Sequence, residues 1–416
     1  MGMTIVEKIL AKKSGQALVR PGELVTVEVD TVIFVDTNFV ASRWRDLTRV
    51  YDPDRLVVVL DHRAPAATPR CAAMHRTARE FVKQFGIRRF HDVGYGQGIS
   101  HQLVADHAYA LPGTVLLCSD SHTGSAGVFN CLARGVGSPD VVYSATKGET
   151  WFTVPETVRY ELTGALRTGV TMKDAFLHIA QEYGEHTNLN VEYGGPGMAG
   201  LDISARKTLT TMSTELSAEF AVFEPDDVML QWLRARTDAS FDTYMPDTDA
   251  AYADVRTLDL SKLEPLVAYP DSVVSNSRPV SEAGTRIDQA FVGSCANGTL
   301  EDLRLVARIL DGHRVHADVR LVVTPGSQNV YRAAAQEGLI SRLTEAGALV
   351  TGATCGACCG GHMGVLGAGE TCITASTRNF KGRMGDPSAR IYMGSPATAA
   401  ASAIRGVITD PREFIA

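Results

Sequence analysis

The sequence has 416 residues, of which 45% are hydrophobic and 21% are charged, and its formal net charge is −7 at pH 7. This composition is ordinary for a globular protein that is long enough to build a sizeable core. The 40 lysines and arginines are spread along the chain without a long basic run. The charge pattern therefore argues against nucleic acid or an anionic membrane as a partner and favours a small-molecule ligand.

Residues 1–15 predict a short amphipathic helix, with Ile5, Ile9 and Leu10 on one side and lysines on the other. The segment lacks the apolar centre of a signal peptide, and no later apolar run is long enough to span a bilayer. We therefore expect a soluble, cytoplasmic protein.

Short apolar runs rich in β-branched residues alternate with segments of helical period through most of the chain. The clearest of these segments are 55–60, 72–86, 114–120, 289–295, 299–312 and 319–324. The alternation predicts an α/β fold built from βα units with largely parallel sheets. The stretch from about 237 to 285 is richer in Asp, Ser, Tyr and Pro and shows little period, so we expect it to connect subdomains.

Three cysteines form the sharpest chemical pattern. Cys355 and Cys358 lie three positions apart in the glycine-rich stretch TGATCGACCGGHMG, and Cys295 follows the apolar run QAFVGS. An isolated C-x-x-C pair would favour a redox dithiol or a zinc site. Cys295 adds a third thiol just past a strand end, and three thiols favour an iron–sulfur cluster instead. A cluster held by only three thiolates keeps one iron open to act as a Lewis acid on a substrate.

The other five cysteines are not predicted as ligands. Cys359 adjoins Cys358, and adjacent residues rarely both reach one cluster, so we assign it to packing. A disulfide framework is unexpected in a large cytoplasmic chain, and free cysteines are commonly small core residues. The four cysteines expected in the core are Cys71, Cys118, Cys131 and Cys372.

Acidic and histidine residues follow several apparent strands in the first half of the chain. They are Asp61, His62, His101, Asp120 and His122. Each falls at a strand end or on the loop beyond it, where α/β folds assemble their active sites. A buried histidine beside an aspartate can hold one tautomer and move a proton near neutral pH. One such residue alone is better explained as a solvated loop residue, but three groups at strand ends favour an acid–base site.

Arg378 and Arg383 lie close together in the polar segment ASTRNFKGRMG. Two neighbouring guanidiniums suit bidentate recognition of a carboxylate, although a surface arginine pair is usually only solvated.

Several separated strings together resemble the aconitase superfamily, from Met3 to about Phe414. They are GISHQ, CSDSHTGSAG, KGETWFTVPETVRYELTG, FVGSCANGTLEDLRLVARIL, CGACCGGHMGVLGAGE, TRNFKGRMGDPSARIYMGSPATAAASAI and GVITDPREF. They are most similar to the two-subunit branch of 3-isopropylmalate dehydratase and homoaconitase. The resemblance implies one aconitase-type module of three α/β/α subdomains, at about 1–157, 158–277 and 278–416, with the cluster ligands in the last.

The resemblance also implies roles for individual residues. Cys295, Cys355 and Cys358 are expected to hold a [4Fe–4S] cluster whose fourth iron binds a substituted malate. Ser121, Arg378 and Arg383 are expected to bind substrate. The residues expected to surround the open iron and handle the proton of the substrate hydroxyl are Asp61, His62, His101, Asp120, His122 and Glu215.

In relatives, the base that removes the carbon-bound proton is a serine on a separate swivelling domain. This chain ends at Ala416, soon after GVITDPREF, without that domain. We therefore expect a small swivel-domain subunit as a partner, in a heterodimer or heterotetramer. No nucleic acid or membrane partner is expected.

Three positions depart from the family's usual residues. Thr211 and Thr377 stand where the family commonly has Asn, and Ala296 stands where it commonly has Thr. A short hydroxyl lacks the reach and one donor of an amide, which predicts a changed substrate among 3-isopropylmalate, homocitrate and smaller methyl- or dimethylmalates. The alternative is a non-catalytic iron–sulfur binding or sensing protein. It is disfavoured because a sensor needs only the cysteines.

Overall fold

The computed structural model describes residues 2–41, 44 and 47–415. Four β-sheets and twelve α-helices, each numbered in chain order, organise these residues. The helices are α1 (Ile5–Ser14), α2 (Pro69–Phe85), α3 (Ser100–Asp106), α4 (Ser138–Lys147), α5 (Met172–Tyr183), α6 (Ile203–Met212), α7 (Asp227–Arg234), α8 (Ser294–Asn297), α9 (Leu300–Ile309), α10 (Gln328–Gln336), α11 (Leu339–Glu345) and α12 (Pro396–Arg405). Within the described ranges, no helix has both the length and the apolar character needed to cross a membrane.

A five-stranded sheet lies in the first part of the chain. Its strands are β2 (Thr31–Val35), β3 (Leu56–Val59), β4 (Arg89–His91), β5 (Val115–Cys118) and β6 (Leu132–Gly135). They pair in the order β4–β3–β2–β5–β6, and every pair is parallel. All residues of β2, β3 and β5 are buried, as expected for parallel strands covered on both faces. A separate antiparallel ribbon joins β1 (Leu24–Glu28) and β7 (Glu149–Thr153).

A four-stranded parallel sheet follows. Its strands are β8 (Glu156–Thr163), β9 (Leu189–Gly194), β10 (Ala221–Phe223) and β11 (Asp254–Asp259). They pair in the order β10–β9–β8–β11. One hydrophobic cluster contains Ile33 and Leu116 of the five-stranded sheet together with Val158 and Val191 of this sheet. The two sheets therefore share a core.

The last part of the chain forms a seven-stranded sheet. Its strands are β12 (Leu266–Ala268), β13 (Ser277–Pro279), β14 (Gln289–Val292), β15 (Arg320–Val323), β16 (Leu349–Val350), β17 (Thr371–Thr374) and β18 (Arg390–Met393). The order is β13–β12–β18–β17–β14–β15–β16. The strands from β18 to β16 pair in parallel, and β12 pairs antiparallel with both of its neighbours, β18 and β13. This sheet has its own core, which includes Val292, Val323 and Ala400.

The predicted α/β fold with largely parallel sheets is confirmed. The runs at 55–60, 72–86 and 114–120 form β3, α2 and β5 with ends within three residues of expectation. The stretch 237–285 is more than a connection, because it contains β11, β12 and β13. The edge strands β11 and β13 are only partly covered and β12 has three residues, so none of them shows a long continuous apolar run. The subdomain division at 157 and 277 stays a prediction.

The amphipathic N-terminal helix is confirmed as α1, whose Ile5, Ile9 and Leu10 are fully buried. The start of α1 faces a carboxylate that is buried in β9. Val6 N donates to Glu192 Oε1 at 3.2 Å, and the Tyr252 hydroxyl donates to Oε2 at 3.0 Å. Burial raises the pKa of Glu192 to about 7, although both hydrogen bonds act in the other direction.

Candidate functional site

Three acidic residues lie at the carboxyl edge of the five-stranded sheet. Asp36 directly follows β2, Asp61 lies two residues after β3, and Asp120 lies two residues after β5. Asp36 and Asp61 are fully buried, whereas Asp120 is partly exposed. Because the strands are parallel and adjacent, their ends meet at one edge, where α/β sheets place ligands.

His62 is held between two of these carboxylates. Its Nδ1 lies 2.7 Å from Asp61 Oδ1, and its Nε2 lies 3.0 Å from Asp120 Oδ2. The other oxygen of Asp61 accepts a hydrogen bond from Ser100 N at 2.9 Å. Burial lowers the pKa of His62, but Asp61, Cys355, Asp120 and Asp36 together hold it well above its usual range. The ring is therefore fixed in orientation and favoured as a cation.

Asp120 contacts three histidines. His101 is the second residue of α3 and is almost fully buried, and its Nε2 lies 2.9 Å from Asp120 Oδ1. His122 N donates to the same oxygen at 2.8 Å. Burial raises the pKa of Asp120, but His101, His122 and His62 outweigh this effect and hold it well below the usual range. Asp120 is thus an ionised carboxylate that can orient His101 for proton transfer.

Glu215 extends the set from the 3-10 turn Ser213–Leu216 that follows α6. Its Oε1 accepts from His122 Nε2 at 2.8 Å and from Arg378 Nε at 2.7 Å. Burial raises the pKa of Glu215, but these two partners lower it below its usual value. The pKa of His122 is lowered by burial and raised more strongly by Asp120 and Glu215. Arg378 is therefore connected to His122 and Asp120 through Glu215.

The three predicted cysteine ligands lie beyond strands of the seven-stranded sheet. Cys295 is in α8, just past β14, and Cys355 and Cys358 belong to the turn after β16. All three are buried and are free thiols. Among the described residues, these three sulfurs do not form a group within 4.8 Å of one another. Thiolates on one tetrahedral zinc would lie about 3.8 Å apart, so these three sulfurs as they stand do not form a site for a single zinc ion.

Among the described residues, some polar atoms beside the cysteines lack a hydrogen-bond partner. Arg383 Nη2 lies 3.8 Å from Cys358 Sγ. Burial raises the pKa of the Cys358 thiol, but Arg383 and His122 outweigh it and lower the pKa. Burial raises the pKa of both Cys295 and Cys355. Among the described buried atoms, Ser294 Oγ and Arg383 Nε have no hydrogen-bond partner. These two hydrogen-bond donors lie beside free thiols and have no acceptor. They could therefore donate to the sulfur of an iron–sulfur cluster or to its substrate.

Cys359 is less buried than its neighbours. Its Sγ lies 3.7 Å from the His62 carbonyl oxygen and 3.8 Å from that of Gly356. It packs against the small cluster of Ile99, Cys295 and Cys355. The four cysteines without a spacing pattern are buried free thiols, as predicted. They are Cys71, Cys118, Cys131 and Cys372.

Two buried lysines near the cysteines were missed by the sequence analysis. Lys173 Nζ donates to the Ser376 carbonyl oxygen at 2.9 Å and lies 3.2 Å from Met212 Sδ. Burial lowers its pKa to about 8, although Cys295 and other anionic groups act in the opposite direction. Lys207 Nζ donates to Gln102 Oε1. No motif marks either lysine, whereas Asp36 could have been found from its position after a strand.

The three departures from the family pattern have distinct surroundings. Thr211 Oγ1 donates to the Lys207 carbonyl oxygen at 2.6 Å, so its hydroxyl is satisfied inside α6. Thr377 Oγ1 lies 3.9 Å from Cys358 Sγ. Ala296 is fully buried, and its carbonyl oxygen accepts from Thr208 Oγ1 at 3.0 Å. Of the two threonines, only Thr377 directs its hydroxyl at a predicted ligand.

Comparisons with known proteins identify the family. The model of the aconitase family (aconitate hydratase) matches residues 48–406. The chain is 50% identical to the 3-isopropylmalate dehydratase large subunit of Mycolicibacterium smegmatis, over 100% of this chain and 98% of that protein. It is 40% identical to a probable methanogen homoaconitase large subunit of Methanothermobacter thermautotrophicus, over 99% and 98%. Aconitase X of Thermococcus kodakaraensis shares the fold, with a TM-score of 0.51 and 11% identity over 88% of both chains.

The chain therefore belongs to the aconitase family, and its predicted similarity to the 3-isopropylmalate dehydratase and homoaconitase branch is confirmed. It is a hydro-lyase of that family. Enzymes of the family generally carry an iron–sulfur cluster.

Proposed function

We propose that the protein is the cluster-carrying large subunit of a hydro-lyase that dehydrates and rehydrates a substituted malate such as 3-isopropylmalate. The observation that carries this proposal is the contact of Asp120 with His62, His101 and His122, in a site that also contains three free thiols. The relatives named 3-isopropylmalate dehydratase large subunit, which the chain matches over nearly their whole length, support it.

Cys295, Cys355 and Cys358 would hold a [4Fe–4S] cluster, with Cys359 dispensable. When bound, the cluster supplies an open iron that acts as a Lewis acid toward the hydroxyl and one carboxylate of the substrate. Ser294 Oγ and Arg383 Nε are unpartnered donors placed beside the cysteines, and they suit cluster sulfur or substrate oxygen. This donor arrangement supports a cluster over a single ion.

The residues at the sheet edge handle the proton of the hydroxyl. His101 gives a proton to the hydroxyl as it leaves as water, through the ring nitrogen that does not contact Asp120. Asp120, 2.9 Å from the other ring nitrogen, Nε2, orients the ring. Asp61 and His62 hold Asp120 from the other side, and the His122–Glu215 pair completes the set.

Arginines and one serine bind the substrate carboxylates in this proposal. Glu215 engages Arg378 Nε and so fixes the direction of its guanidinium. Arg383 lies against Cys358, close to where a cluster-bound substrate would sit. Ser121 lies between Asp120 and His122, and its carbonyl oxygen is held by Thr214 Oγ1 at 3.0 Å. Arg378 and Ser121 therefore adjoin the acid–base residues, and Arg383 adjoins the cysteines.

The partner is a small subunit that supplies a serine base and a carboxylate-binding arginine. Elimination requires a base for the carbon-bound proton, and the site must exclude water for charge stabilisation to be effective. His62, Asp120, Glu215 and Arg378 remain partly exposed in the chain alone, so a partner that covers them would serve both needs. The relatives' designation as large subunits supports this proposal.

The main alternative is homoaconitase, which acts on a related hydroxy acid; a relative of that name is 40% identical over nearly the whole chain. Methyl- or dimethylmalate is a further substrate candidate. A non-catalytic iron–sulfur protein is disfavoured, because the paired acid–base residues have no role in mere cluster binding.

The deciding experiment measures turnover of the anaerobically reconstituted chain with and without a co-expressed small subunit. The substrate panel is 3-isopropylmalate, homocitrate, and methyl- and dimethylmalate. We expect turnover only from the pair, with one preferred substrate. Full activity of the single chain would contradict the two-subunit proposal. A fully loaded pair that is inactive on the whole panel would favour the non-catalytic alternative.

A further inference from the structure

We propose that the chain, when it lacks the cluster, binds one thiophilic divalent cation such as Zn²⁺ or Co²⁺ through Asp61, His62 and Cys355. The three residues offer a carboxylate oxygen, an imidazole nitrogen and a thiol sulfur, and these atoms all lie within 4.8 Å of one another. Within residues 2–41, 44 and 47–415, this is the one group of three His, Cys, Asp or Glu side chains so arranged. The donor set differs from the three cysteines proposed for the cluster.

The three donor types match the ligands that zinc and cobalt take in proteins. Bonds of about 2.0–2.3 Å place the ligand atoms of a tetrahedral ion about 3.3–3.8 Å apart. His62 Nδ1 and Asp61 Oδ1 are 2.7 Å apart, so the ion would separate them by about 0.6 Å. Cys355 Sγ lies within 4.8 Å of a ligand atom of each of the other two residues, so a shift of about 1.3 Å at most completes the triangle. A water molecule can take the fourth position.

The groups behind the donors are those that support a metal ligand. A metal-binding histidine usually gives its second ring nitrogen to a carboxylate, and His62 Nε2 lies 3.0 Å from Asp120 Oδ2. The second oxygen of Asp61 accepts from Ser100 N at 2.9 Å, so that carboxylate is also fixed. With these contacts made, His62 Nδ1 and Asp61 Oδ1 are the atoms left to bind a metal ion, and they lie next to each other.

Backbone contacts join the two chain segments that carry the donors. Cys355 N donates to the Asp61 carbonyl oxygen at 3.1 Å, and Thr354 Oγ1 donates to the same oxygen at 2.8 Å. Segments 293 positions apart in sequence are therefore held together by these hydrogen bonds. The donors are preorganised by the protein and need little rearrangement on binding.

The local charge also favours a cation. Carboxylates of Asp36, Asp61 and Asp120 surround one imidazole ring, and Asp36 Oδ1 lies 3.5 Å from His62 Nδ1. A divalent ion offsets this negative charge better than a single imidazolium does. On binding, Cys355 loses its thiol proton and His62 loses its Nδ1 proton to solvent, so that both become ligands.

One consequence rests on the proposed cluster. Cys355 Sγ belongs to both donor sets, so the single ion and the cluster exclude each other. The apoprotein loaded with Zn²⁺ is expected to resist cluster reconstitution until a chelator removes the ion.

Cobalt titration of the full-length, reduced, metal-free chain tests the site, because thiolate-to-cobalt charge transfer gives an absorption band. We expect one Co²⁺ per chain with this band. Cys355→Ser should abolish the band, and His62→Gln and Asp61→Asn should each weaken binding at least about tenfold. The matched control Cys295→Ser should retain the band with affinity within about threefold, because Cys295 contributes no donor to this site.

Two results would overturn the proposal: loss of the band in Cys295→Ser, or unchanged affinity in His62→Gln. A measurement on the wild-type chain avoids any folding defect of the variants. Zinc K-edge X-ray absorption of the Zn²⁺ complex should show one sulfur ligand with nitrogen and oxygen ligands, and two or more sulfurs would contradict the assignment. Neither measurement involves the cluster, so failure of the cluster proposal is distinguished from failure of this one.

Discussion

The carboxyl edge of the five-stranded sheet and the cysteine turns of the seven-stranded sheet make unlike contributions to one site. At the first, Asp120 contacts three histidines, and Glu215 contacts His122 and Arg378. At the second, the thiols are separated, and donors on Ser294 and Arg383 lack partners. The polypeptide alone therefore organises the residues proposed to handle the proton, whereas the cysteine region keeps polar groups that the proposed cluster and substrate would engage.

The largest expected effect comes from removing a cluster ligand. Changing Cys295, Cys355 or Cys358 singly to Ser should abolish cluster content and turnover, because each thiolate is one of three attachments. Iron, sulfide and visible absorbance after anaerobic reconstitution measure this. Cys359→Ser is the matched control and should retain the cluster. Loss of the cluster in Cys359→Ser with none in Cys358→Ser would reverse the ligand assignment.

Substitution of a residue proposed to handle the proton should leave the cluster intact. His101→Ala should lower turnover about 10²–10⁴-fold, the usual contribution of a positioned general acid, with unchanged iron content. The control His313→Ala changes an exposed histidine that packs against Phe414. Steady-state assays of the reconstituted pair give the comparison. Turnover equal to wild type would show that His101 is structural.

Glu192 is a buried carboxylate outside both regions, so its substitution should change the stability of the fold and not the chemistry of the site. Because the folded pKa of Glu192 is raised to about 7, its stabilising effect is full below the unfolded value and is lost as pH rises through 7. From pH 5 to 8 this loss amounts to about 2 kcal/mol of unfolding free energy. Glu192→Gln should remove this decline, as measured by urea unfolding.

The control for that measurement is Glu182→Gln, which changes an exposed carboxylate and should keep the wild-type pH dependence. If Glu192→Gln and wild type show parallel stability curves between pH 5 and 8, the carboxylate is ionised throughout and does not titrate in this range.

The smallest expected effect is a difference in turnover between substitutions of Thr377 and Thr211, the two threonines that depart from the family pattern. Thr377→Val removes a hydroxyl 3.9 Å from Cys358 Sγ and should lower turnover about fivefold, as expected for one net hydrogen bond of about 1 kcal/mol. Thr211→Val removes a hydroxyl that is satisfied within its own helix, so turnover should stay within about twofold. Equal effects of both changes on turnover would remove the distinction between these positions.

The grouping of Asp61 and Asp120 at one edge was predictable, because the ends of parallel strands meet there and each residue follows an apolar strand. The same rule points to Cys295 beyond β14. Sequence patterns could not show the Glu215–Arg378 contact, whose partners lie 163 positions apart. Nor could they locate the buried lysines, because long-range packing rather than local period determines which helical lysines lose contact with water.

We propose that a cluster with one open iron completes the cysteine turns. The most direct test is the Mössbauer spectrum of the chain reconstituted with iron-57 and paired with its small subunit, before and after substrate addition. We expect the signal of one iron in four to change on addition while the others stay constant. Four irons that all remain unchanged, with substrate turning over, would contradict the claim.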